Sequence, residues 1–438
     1  MTAPSSVAPR RLPRGVSFYL LASIVVFLLA GSSAPTPLYS LYQARWGFSP
    51  ITTTVVFGVY ALAVLVALLT VGSLSDHLGR RPVLLVALAA QAVTMVVFAT
   101  ADGVPVLMVA RVLQGLSTGA ALGAVGAGLL DLDRARGTLA NAVSAPIGTA
   151  IGSLLAGLFV QYLPAPLHLV YLTLGAVFVL QAVGISFMAE TSTTRPGALA
   201  SLRVQFALPA TVRRPMLVAA PALIAAWSLA GLYGSLGPTL VRLMVGRTSF
   251  VLGGLALFVI AGSGALTVVM LRSTTPRTVM FIGTIGLLAG VSLTVLAVYA
   301  TSAVGFFVGS AVAGIGFGAG FQGAIRSVVP LAAPHERSGV LSLLFVISYV
   351  AMGVPAVIAG FLVVHGGGIL DTTRDYGLAV IVLALAALVG LIRRPAGRPA
   401  AEEPTAVVRT ENRPAAATSA APAAPVRCAT SSLAVDVS

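Results

Sequence analysis

Residues 72–82 read Gly72-Ser73-Leu74-Ser75-Asp76-His77-Leu78-Gly79-Arg80-Arg81-Pro82, a short polar stretch between two long apolar ones. Gly72 permits close approach of helices, and Gly79 permits a sharp turn. Asp76, at the edge of an apolar run, needs a partner, which Arg80, Arg81 or a helix end can supply. On this reading Gly72, Asp76, Gly79, Arg80 and Arg81 form a latch that helps to hold one conformation. The plainer alternative is a positively charged loop that only fixes topology.

Outward from this stretch the chain is apolar almost throughout. Of 438 residues, 58% are hydrophobic and 9% charged, whereas soluble domains carry about 25% charged residues. Such a composition excludes a soluble enzyme, a disordered chain and a nucleic-acid binder. About 20 apolar residues cross a bilayer. Twelve such runs are expected, at about 17–41, 51–72, 83–101, 104–130, 138–162, 167–188, 216–243, 250–271, 279–299, 302–330, 339–364 and 376–392. They define a cytoplasmic segment 1–16, an N-terminal six-helix half 17–189, a linker 190–214, a C-terminal six-helix half 215–394 and a disordered tail 395–438 rich in Ala, Pro, Thr and Ser. Arg10, Arg11 and Arg14 precede the first run as in a signal peptide. That run is longer than a signal core, however, and Pro35 follows the small residues Ser32-Ser33-Ala34, so the first span is expected to be retained. The single cysteine, Cys428, lies in the tail and offers neither an internal disulfide nor metal-site spacing.

All 26 basic residues are arginine, against 12 acids, a net charge of +14. With the N-terminus inside, about twenty of them fall on inner loops and tails, and Arg45, Arg242, Arg247 and Arg374 fall outside. The excess therefore reads as topology, with both termini cytoplasmic in a multi-pass plasma (inner) membrane protein.

The halves carry traces of duplication. Phe27-Leu28-Leu29-Ala30-Gly31 matches Trp227-Ser228-Leu229-Ala230-Gly231. Gly115, Gly119 and Ala120 match Gly314, Gly318 and Ala319, and Gly137 and Leu139 match Gly339 and Leu341. The offset is near 200 residues each time. A parallel repeat of six spans is the organisation of a rocking-bundle transporter with its substrate between the halves.

Span four opens Arg111-Val112-Leu113-Gln114-Gly115. Arg111 lies about 10 Å inside it at 1.5 Å per residue. A guanidinium at that depth needs a cavity or polar partners, which points to substrate or proton-relay contact; the alternative is snorkelling to the headgroups. Span five carries Ala145-Pro146-Ile147-Gly148, then Gly152 and Gly157; the spacing reads as small-residue helix packing.

Together the twelve spans, the 72–82 stretch and the arginine with Gln114-Gly115 resemble the major facilitator superfamily, across roughly residues 15–394. His77 departs from the pattern, which has a basic residue there. The motif layout is similar to that of bacterial twelve-span drug/proton antiporters, and this resemblance implies instead a partial glycine-proline exporter element at Ala145-Pro146-Ile147-Gly148. The resemblance implies an all-α membrane fold of two pseudo-symmetric six-helix halves, alternating access, a proton gradient as drive and no cofactor.

None of the twelve acids falls mid-span, which argues against a dedicated cation exporter, because a buried cation needs a carboxylate. Neutral polar groups remain, including Gln114, Ser117, Asn141, Tyr39 and Tyr233, together with Arg111 and, nearer an end, Arg326. Pro35 and Pro37 should kink span one, and Gly234, Gly237 and Pro238 occupy corresponding positions in span seven. Pro35, Pro37, Pro146, Gly148, Gly237 and Pro238 are the candidate hinges. Arg111, Gln114, Tyr39, Tyr233, Ser117 and Asn141 are the candidate substrate or proton pathway; the sequence permits proton coupling through Asp76, Asp102 or Asp131 with Arg111, and it also permits a uniporter. Trp46 reads as an interfacial anchor. The expected function is proton-coupled efflux of a neutral or weakly anionic small molecule by a monomer. A nutrient importer on the same fold and a non-transporting receptor or scaffold are the alternatives. No catalytic constellation, metal-ligand set or phosphate-binding loop is present in the sequence.

Overall fold

The computed structural model describes residues 11–194, 196–204, 206–246 and 249–393. Arg10, Arg195, Arg247 and the tail with Cys428 lie outside the described residues, so the expectations placed on them concern sequence alone. The elements are helices α1 (Arg14–Ser33), α2 (Pro35–Trp46), α3 (Pro50–Thr70), α4 (Ser75–Leu78), α5 (Arg80–Ala99), α6 (Val104–Leu132), α7 (Arg134–Tyr162) and α8 (Pro166–Ser186), followed by α9 (Ala198–Ser201), α10 (Ala210–Ser235), α11 (Gly237–Val245), α12 (Phe250–Met270), α13 (Pro276–Tyr299), α14 (Ala303–Val328), α15 (Arg337–His365) and α16 (Gly368–Ile392). Among the described residues, twelve helices are long and apolar enough to cross a membrane. Residues 14, 72–81 and 393 therefore share one face, termed the motif face; the opposite one is the far face.

Helix ends follow local chemistry. Pro50, Pro166 and Pro276 occupy first positions, where the missing N–H is not needed. The side chains of Asp133, Ser249, Thr275 and Ser302 accept from backbone N–H groups at the starts of α7, α12, α13 and α14. The two helix breaks expected from proline and glycine are present. Span one divides at Ala34 between α1 and α2, and span seven at Leu236 between α10 and α11. Both short outer helices end on a left-handed glycine, Gly47 and Gly246, each at φ +66°. Pro146, by contrast, sits inside an uninterrupted α7. Gly148 and Gly152 in that helix bring it against Val26 and Ala30 of α1, which is small-residue packing within one half.

The repeated glycines do equivalent work. A Cβ on Gly115 or Gly119 of α6 would strike Ala63, Tyr60 O or Val64 O of α3; one on Gly314 or Gly318 of α14 would strike Ile260 O, Ser263 or Gly264 of α12. Span four thus packs on span two, and span ten on span eight. Gly137 and Gly339 differ: the first meets Leu129 on α6, the second Ala207 of the linker. One buried apolar cluster draws only on residues 21–188, and two draw on residues 212–391. A fourth, with Phe57, Ala61, Met352 and Ala356, joins α3 to α15.

The halves meet along two seams, α3–α15 and α7–α12. Both are tight at the far face and loosen toward the motif face. On the first seam, a Cβ at Gly360 would collide with Thr54. At Gly58 the nearest atom is Val357 Cγ2 at 3.1 Å, and at Gly353 it is Ala61 Cβ at 3.7 Å. On the second seam, a Cβ at Gly157 lies 2.7 Å from Phe250 O and one at Gly254 collides with Ser153 O; at Gly262 the nearest atom is Ala150 Cβ at 4.0 Å. Val143, Ile147, Ile151, Leu266 and Val269 line the gap that opens.

The two broken helices join at the far face, where Thr36 Oγ1 donates to Gly234 O at 3.0 Å. Thr36 is fully buried, so this bond contributes about 0.5–1.5 kcal/mol to far-face closure. In a Cys428→Ser background, Thr36→Val should therefore raise the rate at which an impermeant maleimide labels a cysteine placed at the buried Ser40 by about two- to tenfold.

Candidate functional site

Two constellations stand out, one at the motif face and one deep in the N-terminal half. At the motif face, Arg80 is the hub. Its guanidinium contacts Asp76, donates from Nη1 to Ser75 Oγ at 2.7 Å, and donates from Nε to Asp131 Oδ2 at 3.2 Å. Arg80 is buried while both carboxylates are partly solvated. Arg81 donates its Nη2 to Ser186 O at the end of α8. Gly79 adopts φ +96°, a conformation that favours glycine. Gly72 packs its backbone on α6, where a Cβ at Gly123 would lie 2.7 Å from Gly72 O.

Sequence reasoning missed the partners that organise this loop. Asp131 entered it as a proton carrier acting with Arg111. In the fold it pairs with Arg80, at the opposite end of α6 from Arg111. Glu190 had no assigned role. Its carboxylate accepts from the backbone N–H of Arg80 at 2.8 Å, Arg81 at 3.0 Å, Thr191 at 3.0 Å and Ser192 at 3.2 Å. An anion at the N-terminus of α5 is favoured by the unpaired N–H groups and the helix dipole. The signal available in sequence was an acid immediately after an apolar span with no charge partner nearby. The linker adds Ser201 O, which accepts from Ser73 Oγ at 3.0 Å, and Pro196 O, 3.1 Å from His77 Nδ1. Loop 72–81 is thus bound to α6, α8 and the linker. Glu190→Gln keeps one acceptor oxygen and loses the charge; it should lower stability by about 1 kcal/mol or less, read as a small drop in midpoint in a thermal-shift assay.

The second constellation surrounds Arg111, which has no exposed surface. Nη1 donates to Ser32 O at 3.0 Å and to Gln114 Oε1 at 2.6 Å, and Nη2 donates to the Tyr39 hydroxyl. Its Cζ lies 5.2 Å from the Tyr60 ring centroid, 5.5 Å from Tyr39 and 5.8 Å from Phe98. Gln114 Nε2 in turn donates to Gly31 O at 2.9 Å. The cation is held by neutral acceptors and aromatic faces, and Nε has no partner among the described residues. Polar partners, not snorkelling, satisfy it. Asp102, at the turn before α6, is exposed.

The other pathway candidates do not join Arg111. Ser117 Oγ bonds back to Leu113 O and Gln114 O within α6, and Asn141 Nδ2 ties α7 to Gly126 O at 2.9 Å. Tyr233 is buried inside the C-terminal half, 2.6 Å from Ser310 Oγ and stacked on Phe306. Trp46 is stacked on Tyr42 with centroids 4.6 Å apart. Arg326 donates to Leu271 O and Thr274 O at the motif-face end of α12.

A third cluster escaped the sequence reading. Trp227 on α10 has Phe317 at 6.0 Å, Phe321 at 5.3 Å and Tyr349 at 5.3 Å, centroid to centroid. Trp227 and Tyr349 also pack against the buried cluster of Phe57, Ala61, Met352 and Ala356 that joins α3 to α15. The cluster therefore lies where the halves meet, one residue along α3 from the Tyr60 that faces Arg111.

Comparison with known proteins agrees with this architecture. A tetracenomycin C resistance and export protein of Streptomyces glaucescens is 39% identical over 108 residues, 24% of this chain and 20% of that protein. The match thus spans about a fifth of that relative's length. Among solved structures, a bacterial homologue of the human lysosomal transporter Spinster aligns with TM-score 0.67 and 14% identity over 86% of this chain and 95% of that one. A mutant of the nucleoside transporter NupG aligns with TM-score 0.63 and 12% identity over 87% and 98%. The human organic anion transporter MFSD10 aligns with TM-score 0.60 and 18% identity over 86% and 100%. At these identities the three structures establish the fold. Residues 20–291 match the Major Facilitator Superfamily. With twelve membrane-length helices and that match over most of the chain, the protein is a multi-pass membrane transporter, not an enzyme, and belongs to the Major Facilitator Superfamily.

Proposed function

We propose that the protein exports a neutral or weakly anionic small organic molecule across the plasma membrane by alternating access, driven by the proton gradient. The observation that carries the reading is the pair of seams, closed at the far face and parting toward the motif face. The arrangement suits a bundle loaded from the motif face, taken as cytoplasmic from its arginines. In the opposite state the far face opens and the motif face closes, and loop 72–81, whose Arg80, Asp76 and Asp131 bonds here lie within the N-terminal half, helps to hold that state by engaging the other half. Arg111, surrounded by neutral acceptors, supports the preference on cargo charge. A permanently charged guanidinium without a carboxylate disfavours a second cation and favours an acceptor-rich or anionic group. The partial likeness to a resistance and export protein supports efflux over uptake. Proton exchange is assigned to the carboxylates Asp76 and Asp131 around Arg80 at the motif face, with Asp102 at the far face as the alternative.

The test is an accumulation screen. Cells expressing the wild-type protein are compared with cells expressing Asp76→Asn across a panel of neutral, anionic and cationic compounds, with and without a protonophore. Efflux predicts lower accumulation of neutral or anionic compounds with the wild type alone, abolished by the protonophore. Higher accumulation with the wild type would instead establish uptake and overturn the proposed direction.

A further inference from the structure

Trp227 is one of only two tryptophans in the chain. Trp46 is stacked on Tyr42 with an interplanar angle of 18°, and the interior pairs Phe98–Tyr171 and Tyr233–Phe306 are stacked at 8° and 16°. Around Trp227 the geometry differs. Phe317, Phe321 and Tyr349 meet it at 61°, 70° and 45°, so none of these three rings lies parallel to the indole. The four side chains are half-buried. They come from α10, α14 and α15, and Trp227 and Tyr349 pack against the buried cluster that Met352 and Ala356 share with Phe57 and Ala61 of the other half. Trp227 Nε1 is buried without a partner among the described residues, and so is Oε1 of Gln322, next to Phe321 on α14. A buried N–H without a partner costs about 1–3 kcal/mol, a penalty that phenylalanine, also an aromatic ring, does not carry. An indole here gains from its N–H only if something accepts from it.

Resting on the export reading above, we propose that Trp227, Phe317, Phe321 and Tyr349 form a cage for a planar aromatic portion of the cargo. The ring system stacks on the indole, to which none of the three neighbouring rings lies parallel. An acceptor oxygen on the cargo takes the Trp227 N–H. Because Trp227 and Tyr349 pack against the cluster that joins α3 to α15, binding of the cargo is felt by the seam that must rearrange. Arg111 lies behind Tyr60 on the same side, which favours oxygen-bearing, neutral or anionic aromatic molecules over aromatic cations.

The experiment uses the full chain, purified and reconstituted in nanodiscs, with Trp46→Phe leaving Trp227 as the only fluorophore of its kind. Anthracene-9-carboxylate is titrated while indole emission is followed. The expected result is saturable quenching, not displaced by cyclohexanecarboxylate, with Kd raised about tenfold, or about 1.4 kcal/mol, by Tyr349→Ala. Tyr349→Phe, which keeps the ring, should stay within about twofold of the parent. Linear, unsaturated quenching that is indifferent to Tyr349→Ala would overturn the proposal, as would equal competition by the alicyclic acid. Binding here without efflux in the accumulation screen would remove the export reading and leave the cage. Efflux of planar aromatic compounds that is unchanged by Trp227→Ala would remove the cage and leave the export reading.

Discussion

Replacement of Arg111 by alanine should abolish transport while leaving a folded protein. Two opposing effects act on stability. Tyr39 OH, Gln114 Oε1 and Ser32 O lose a donor, and each group left unsatisfied costs about 1–3 kcal/mol. Against this, a guanidinium with no carboxylate partner is itself costly to keep within the membrane span, by about 2.5 kcal/mol or more on insertion scales. The three lost donors sum to about 3–9 kcal/mol, so the offset is only partial and the thermal midpoint should fall. Transport has no such compensation. An acceptor group on the cargo, or a relay through Tyr39, loses the only charge in this cluster. Truncating a buried, hydrogen-bonded charge costs about 2–5 kcal/mol in recognition, roughly thirtyfold or more in affinity. Arg111→Lys should not rescue it: an ammonium cannot present the planar fork that bonds Ser32 O, Gln114 and Tyr39 together. Efflux assays on protein checked by size exclusion decide the matter, and normal efflux by the alanine variant would remove Arg111 from the mechanism.

The second large effect is expected at Gly79, and it falls on stability. Valine there must adopt φ +96°, and its Cβ would lie 2.7 Å from Glu190 Oε2. The backbone strain is of order 1–3 kcal/mol. Moving Glu190 also releases the N–H groups of Arg80, Arg81, Thr191 and Ser192, with a capping loss of about 0.5–2 kcal/mol. The sum, about 2–5 kcal/mol, is a large share of a typical folding stability of about 5–15 kcal/mol. Gly47→Val is the control. At φ +66° and ψ +24°, Gly47 lies in the left-handed helical region and meets nothing within 4 Å, whereas Gly79 at φ +96° and ψ +155° lies where glycine alone is at ease, so Gly47→Val should cost less on both counts. A thermal midpoint for Gly79→Val equal to that of Gly47→Val would contradict both the strain and the Glu190 contributions.

These predictions separate what the sequence made legible from what it did not. The twelve spans were readable because crossing a bilayer imposes a length on an apolar run. The breaks at Ala34 and Leu236 were readable because proline and glycine act through the local backbone. Asp76 and Arg80, four residues apart on one loop, were readable as a pair for the same local reason. Partner choice over long range was not. Asp131 and Glu190 reach the 72–81 loop from 51 and 110 residues beyond Arg80, and an isolated acid at a span end has many possible partners. Tyr39 and Tyr233 shared a position near matching helix breaks, yet each packs inside its own half, so only Tyr39 reaches Arg111. Trp227 gave no periodic signal, because a membrane helix is apolar on every face and an aromatic ring within it looks like its neighbours. Pro146 shows the limit from the other side: α7 continues through it, held by close packing on α1.

The central claim is that the two halves rock about seams now closed at the far face. It is tested most directly by fixing one seam. Gly58 and Val357 face each other across α3 and α15, with a Cβ on Gly58 3.1 Å from Val357 Cγ2, within reach of disulfide geometry. Cysteines at both positions in a Cys428→Ser background should cross-link on oxidation. Efflux of a compound identified in the accumulation screen should then stop and return when dithiothreitol is added. Undiminished efflux from fully cross-linked protein would contradict the account.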